Sequence, residues 1–226
     1  MRIIKVSNPK AGVQAAFQIL VDALQLTSSL NLALSGGTTP IALFEQLAKW
    51  NVEEPKLVER FRICWVDERI VPYQHQRSNY GNAIQTWPTI SKLVNCPFPV
   101  STEKHLMAKE YADQMIQHKF ADEKENSLID LAILGMGADG HVASVFPNVS
   151  LQYQNKIAAI CFQPEQNEWR ATLTIPFLLQ SKHNLALVFG AEKKHVLQEC
   201  LNGNTKFPFT QLVNENLILI TDQDVE

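Results

Sequence analysis

The chain has 226 residues, of which 46% are hydrophobic, 19% charged and 8% aromatic. That is an ordinary globular composition, able to bury roughly 70% of its unfolded surface, and it excludes disordered and collagen-like classes. Lys plus Arg (20) against Asp plus Glu (23) leave a net charge of −3. The basic residues are scattered rather than gathered into a stripe, which speaks against a nucleic-acid or anionic-membrane partner.

The opening residues 2–6 read as a strand, followed by a helix with Asn8 as N-cap and Pro9 at its first position. Val13, Ala16, Phe17, Leu20, Val21 and Leu24 then mark one face of a 3.6-residue period. A compact apolar run at 30–34 ends in Ser-Gly-Gly-Thr-Thr-Pro, and Pro40 opens a helix carrying Leu43, Phe44, Leu47 and Trp50 on one face. The alternation continues with a strand at 61–66, helices at 80–84 and 108–116, and a strand at 129–134. Strands at 157–161, 171–175 and 185–189, a helix at 192–201 and a strand at 217–220 complete the pattern. Near-continuous apolar strands separated by amphipathic helices predict an α/β fold, with a mostly parallel sheet covered by helices on both faces. No linker, repeat or low-complexity tract divides the chain, so 1–226 reads as a single domain.

The longest apolar stretches fall far short of the roughly 18 residues that span a bilayer. No export signal is visible at the start of the sequence, and Cys64, Cys96, Cys161 and Cys200 form no CxxC, so a reducing cytoplasm is expected. The six histidines give no HExxH and no zinc-like spacing with cysteine, so neither a metal nor a cofactor is implied.

In a parallel sheet, ligands bind outside the carboxyl ends of the strands, and three such ends here are unusually polar. Ser35-Gly36-Gly37-Thr38-Thr39 puts two glycines before a helix N-terminus, where free N–H groups and the helix dipole favour a phosphate or carboxylate. It lacks the Lys-Ser/Thr of a P-loop and the first Gly of Gly-x-Ser-x-Gly, which makes Ser35 a poor nucleophile. Asp67-Glu68-Arg69 sets three charges after a buried strand. They bind a ligand or merely order the loop. Ser78 and Asn79 either bond sugar hydroxyls or cap the next helix.

The third end, Gly135-Met136-Gly137-Ala138-Asp139-Gly140-His141, contains a formal GxGxxG. A dinucleotide fingerprint needs a long helix after the third glycine and an acid about 20 residues on, whereas Pro147 cuts any helix here to barely two turns. Asp139 and His141, two apart in a glycine frame, suit proton transfer instead, with His141 as a general base. The alternative is that both cap the short following helix. Arg170 and Lys193, beside predicted strand ends, could complete a phosphate site.

Together these blocks resemble the 6-phosphogluconolactonase family. They are Leu-Ser-Gly-Gly-Thr-Thr-Pro at 34–40, Trp-Val-Asp-Glu-Arg at 65–69 with Ser78-Asn79-Tyr80, Leu-Gly-Met-Gly-Ala-Asp-Gly-His at 134–141 with Phe146-Pro147, Arg170 before Thr172-Leu173-Thr174, and Gly190 three before Lys193. Ala138 stands where the family often has Pro or Glu, and Glu168-Trp169 replace a more usual proline-rich lead into the arginine. The resemblance implies a Rossmann-like fold shared with sugar-phosphate isomerases, deaminases and CoA transferases. It implies hydrolysis of 6-phosphogluconolactone in the oxidative pentose phosphate pathway, with no covalent intermediate, metal, cofactor or obligate protein partner. On that reading His141 activates water and Asp139 orients it. Ser35, Gly36, Gly37, Thr38, Asp67, Glu68, Arg69, Ser78, Asn79, Gly135, Gly137, Arg170 and Lys193 contact the substrate, with loop amides or a cation taking the oxyanion. Deaminases of the same fold carry Asp-Glu-Tyr where this chain has Arg69, and a Glu where it has Phe146. A sugar-phosphate sensor feeding a DNA-binding module would need a helix-turn-helix, for which the sequence shows no basic segment.

Overall fold

A computed structural model describes residues 1–100, 103–153 and 155–225, with the side chain of His105 outside the description. The chain begins with β1 (Arg2–Lys5) and α1 (Pro9–Gln25). Asn8 caps α1 by accepting a hydrogen bond from the Ala11 amide at 2.9 Å, which satisfies one of the orphan donors of the first turn. Next come β2 (Leu30–Leu34), α2 (Thr38–Glu53), α3 (Pro55–Val58) and β3 (Phe61–Trp65). After a single residue, Val66, the chain enters β4 (Asp67–Arg69), then α4 (Asn79–Thr86), β5 (Val94–Cys96), α5 (Lys104–Gln117) and β6 (Leu131–Gly135). The remainder runs through β7 (Gln152–Tyr153), β8 (Ala158–Gln163), β9 (Glu168–Leu173), α6 (Ile175–Leu178), β10 (His183–Val188), α7 (Lys194–Leu201) and β11 (Leu217–Thr221).

Seven strands form a wholly parallel sheet in the order β1-β11-β10-β6-β2-β3-β5. Four consecutive buried residues in β6 and five in β10 mean that both faces of this sheet are covered, so these strands are apolar throughout rather than alternating. Helices α1 and α2 pack side by side, with Phe17 edge-on to Trp50 at 5.5 Å between ring centres. Buried Trp65, Phe44 and Phe61 fill the space between α2 and β3.

The expected strands at 157–161 and 171–175 do form, but they do not join the parallel series. They lie in β8 and β9, in a second, four-stranded antiparallel sheet of order β4-β9-β8-β7. The connection at 163–168 holds only a single helical turn, Pro164–Gln166, and Asn167 with φ 49°. A parallel pairing needs a crossover of a dozen residues or more, so a connection this short can only make a hairpin. The two sheets join at Val66, whose amide donates to Leu34 of β2 at 2.9 Å while its carbonyl accepts from Leu173 of β9 at 2.7 Å.

No helix follows Gly140. Residues 142–145 make a tight turn in which Val142 and Val145 bridge and Ala143 takes φ 54°, a conformation that cannot continue a right-handed helix. All four cysteines are buried and free. Among the described residues no helix is long and apolar enough to cross a membrane.

Candidate active site

The carboxyl ends of β2, β3 and β6 open on one cavity of about 280 Å³, closed on a further side by the β8–β9 hairpin. Its wall includes Ser35, Gly36, Gly37 and Thr38 from the β2–α2 turn, Asp67 and Arg69 from β4, and Asn79 from α4. It also includes Gly135, Gly137 and His141 from the loop after β6, with Arg170 from β9 and Lys193 from the turn before α7. Three predicted residues, Glu68, Ser78 and Asp139, are not in this wall.

Helix α2 starts at Thr38, two residues before the expected Pro40, and its N-cap Gly37 has φ 109° and offers no side-chain cap. Among the described residues the amides of Gly36, Gly37, Thr38 and Thr39 have no partner, and all four residues line the cavity at the positive end of a 16-residue helix. Gly36 is required by close approach, because a Cβ there would lie 1.8 Å from Asn79 Oδ1. Ser35 is 6% exposed, and its hydroxyl donates to the Ile133 carbonyl at 2.8 Å, stapling β2 to β6. That donor is spent within the fold.

Glu68 and Ser78 are buried and lie outside the cavity wall, and their hydrogen bonds are those of the other reading the sequence left open, ordering the loop and capping α4. Glu68 Oε1 accepts from the amides of Arg69 and Asn79, each at 2.7 Å, and Oε2 accepts from the Tyr80 amide at 2.9 Å and Ser78 Oγ at 3.0 Å. Ser78 Oγ in turn caps α4 through the Gly81 amide at 3.0 Å. This buried knot fixes α4 to β4 and so presents Asn79 to the cavity. Asn79 Nδ2 donates to the Asp67 carbonyl at 2.9 Å, and its Oδ1 accepts from Arg69 Nη1. Asp67 Oδ2 also accepts from Ser144 Oγ at 2.8 Å, which ties β4 to the loop after β6.

Arg69 and Arg170 are directly opposed across the β4–β9 ladder. Like charges in such a pair repel, so this arrangement calls for an anion between or beside them. Burial first, and then the adjacent Arg69, pull the Arg170 pKa below its usual value. Arg170 is held by Gln166 Oε1 and by Glu168 Oε2, the latter 2.8 Å from Arg170 Nε at an angle too poor for a hydrogen bond.

His141 Nδ1 lies 2.6 Å from Asp139 Oδ1, and the His141 amide donates to the same oxygen at 3.2 Å. Burial works to raise the Asp139 pKa, but the hydrogen bond and charge of His141 outweigh it and hold the carboxyl below its usual range. An ionised carboxylate keeps the ring proton on Nδ1 and leaves Nε2 as the basic nitrogen. The Phe146 ring, 4.6 Å away between ring centres, backs the imidazole, while a Cβ at Gly137 would lie 2.2 Å from Nδ1. The Gly137 amide donates to the His141 carbonyl at 2.9 Å, so it is not available to an oxyanion. His75, His183 and His195 are exposed, His118 is half-buried, and none of the four lines this cavity.

Side chains not singled out as site residues also shape the wall, chiefly Met136, Leu187 and Gln166, together with Phe146 of the family block. The apolar ones come from positions adjoining the polar motifs, whereas Gln166 is brought in only by the hairpin.

Residues 9–219 match the family model described as glucosamine-6-phosphate isomerases/6-phosphogluconolactonase. The chain belongs to this family. The 6-phosphogluconolactonase of Haemophilus influenzae is 31% identical over 88% of this chain and 85% of its own length, and that of Chlamydia pneumoniae is 32% identical over 78% and 66%. The 6-phosphogluconolactonase structure from Trypanosoma cruzi superposes with a TM-score of 0.86 at 24% identity, covering 99% of this chain and 95% of that one. The glucosamine-6-phosphate isomerase/6-phosphogluconolactonase fold is therefore the fold of this chain, and the cavity sits at the polar strand ends where ligands of parallel α/β sheets bind.

Proposed function

We propose that this chain hydrolyses 6-phospho-D-glucono-1,5-lactone to 6-phosphogluconate, the lactonase step of the oxidative pentose phosphate pathway. The observation that carries this reading is a single cleft holding both an Asp-oriented imidazole and a cationic site built from Arg69, Arg170 and Lys193.

A lactone is an activated ester, so a positioned water, a base and oxyanion stabilisation suffice. His141 Nε2 takes a proton from water as its oxygen attacks the lactone carbonyl, while the negative Asp139 stabilises the imidazolium. The carbonyl π pair moves onto oxygen, where the free amides of Gly36 and Gly37 or a neighbouring cation receive it. As the tetrahedral intermediate collapses, the ring C–O bond breaks, and the proton on His141 passes to the departing ring oxygen. The new carboxylic acid then ionises into solvent. The arginines and Lys193 hold the 6-phosphate, supplying binding energy remote from the breaking bond. Phe146, packed on His141, fills the place where the related deaminases carry a Glu, which favours the lactonase over ring-opening isomerisation. Four buried thiols fit a reducing cytoplasm.

The test is acid release from freshly generated 6-phosphogluconolactone, corrected for spontaneous opening, with glucosamine-6-phosphate as control. Turnover abolished by His141→Ala is expected. Ammonia release from the control, or wild-type turnover in the variant, would overturn the proposal.

A further inference from the structure

Gln166 lies on the helical turn at the tip of the β8–β9 hairpin and contributes to the wall of the cleft. Its Oε1 accepts from Arg170 Nη2 and from Arg77 Nη2, the latter at 3.2 Å. Glu168 repeats the bridge from the strand side, with Oε2 2.9 Å from Arg77 Nη2 and 2.8 Å from Arg170 Nε. Two guanidiniums thus share two acceptors, one charged and one neutral.

A guanidinium only donates, which settles the orientation of the amide: its oxygen faces the arginines and its NH₂ points away from them. Among the described residues Gln166 Nε2 has no partner. We infer that Gln166 is a specificity-determining residue of this site, bracing Arg170 and Arg77 through Oε1 and donating from Nε2 to a phosphate oxygen of the substrate. The choice of an amide is informative. A glutamate would hold two arginines more tightly, but it would add a second carboxylate beside Glu168 and cancel the positive charge that Arg69 and Arg170 present to an anion. A neutral acceptor braces the cations without discharging them, and it keeps a donor free for the ligand.

This inference rests on the lactonase reading, and the experiment separates the two. Wild type, Gln166→Glu and Gln166→Leu are compared on 6-phosphogluconolactone and on unphosphorylated glucono-1,5-lactone, with thermal melting in the presence and absence of inorganic phosphate. In Gln166→Glu the ratio of kcat/KM for the phosphorylated over the plain lactone should fall by about tenfold, the size of one charge-assisted hydrogen bond turned repulsive. The fall should lie in KM rather than kcat, with melting in plain buffer unchanged or higher. Gln166→Leu should show a smaller fall of the same kind. A wild-type KM for the phosphorylated lactone in Gln166→Glu overturns the inference, as does an equal loss on both lactones. If wild type opens neither lactone faster than buffer, the lactonase reading fails. The inference then stands or falls on whether phosphate raises the melting temperature of wild type more than that of Gln166→Glu.

Discussion

Replacing Asp139 by Asn tests how the imidazole is prepared. The carboxylate meets Nδ1 at 2.6 Å, and the same oxygen accepts the His141 amide at 3.2 Å. Because that amide selects an oxygen, the substituted side chain keeps its carbonyl toward the ring, and the tautomer with Nε2 free survives. What disappears is the negative charge facing the imidazolium that forms as water is deprotonated. With its side chain 49% exposed, Asp139 sits between the limits for water and for a protein surface. Two unit charges about 4 Å apart then interact by about 1–2 kcal/mol, and at about 1.36 kcal/mol per tenfold in rate kcat should fall roughly 5- to 30-fold. KM should hold, since Asp139 is absent from the cleft wall. Asp139→Ala, which also loses the orienting oxygen, should fall further, to about 100-fold. Acid release from the lactone in a weakly buffered indicator solution reads both constants. Wild-type kcat in Asp139→Asn, or a loss carried by KM, would refute the reasoning.

The lowered pKa of Asp139 makes its contribution to stability complete above the unfolded carboxylate value of about 3.9, and lost as pH falls through the folded value. The urea midpoints of wild type and Asp139→Asn should therefore differ at neutral pH and converge in acid; a constant gap argues against a native-state contact that favours the ionised carboxylate. Glu68→Gln opposes an NH₂ to at least one buried amide that Glu68 now accepts, and should cost about 2–4 kcal/mol, a fall of roughly 5–15 °C in Tm visible by calorimetry. Gly36→Ala drives Asn79 from Asp67 and Arg69, so kcat/KM should drop at least about tenfold while circular dichroism keeps the native signal. Phosphate at 100 times its Kd should stabilise wild type by about 2.7 kcal/mol, an increment that Arg170→Met should abolish; an undiminished rise would remove Arg170 from the anion site.

The parallel core was legible because its signals are local. β6 is an unbroken apolar run ended by glycine, β2 is broken only by Asn31 and runs into Ser35-Gly36-Gly37, and α1 declares itself through Asn8 and Pro9. The antiparallel sheet was harder to read for a physical reason. β4 consists of Asp67, Glu68 and Arg69, three residues with no strand-like pattern, and it is held as a strand only by pairing with β9. For the same reason the sequence could not choose between the two roles it left open for Glu68 and Ser78. Adjacency to Arg69 and Asn79 suggested ligand contacts, whereas alternation along an extended segment turns Glu68 inward, to gather four hydrogen bonds. Gln166 carried no signal, since its place depends on how β8 folds back onto β9. After Gly140 the sequence allowed at most a short helix, and the turn at Ala143, with φ 54°, removes even that.

The single-residue joint at Val66 has a consequence for how activity emerges during refolding. Position 66 answers to β2 on one side and β9 on the other, so the arginines are placed only after segments more than a hundred residues apart have met. Circular dichroism reporting the seven-stranded layer should recover first after dilution from urea, and turnover should lag behind it. Chains arrested before the hairpin docks would look native to the spectrometer and remain inert to the lactone.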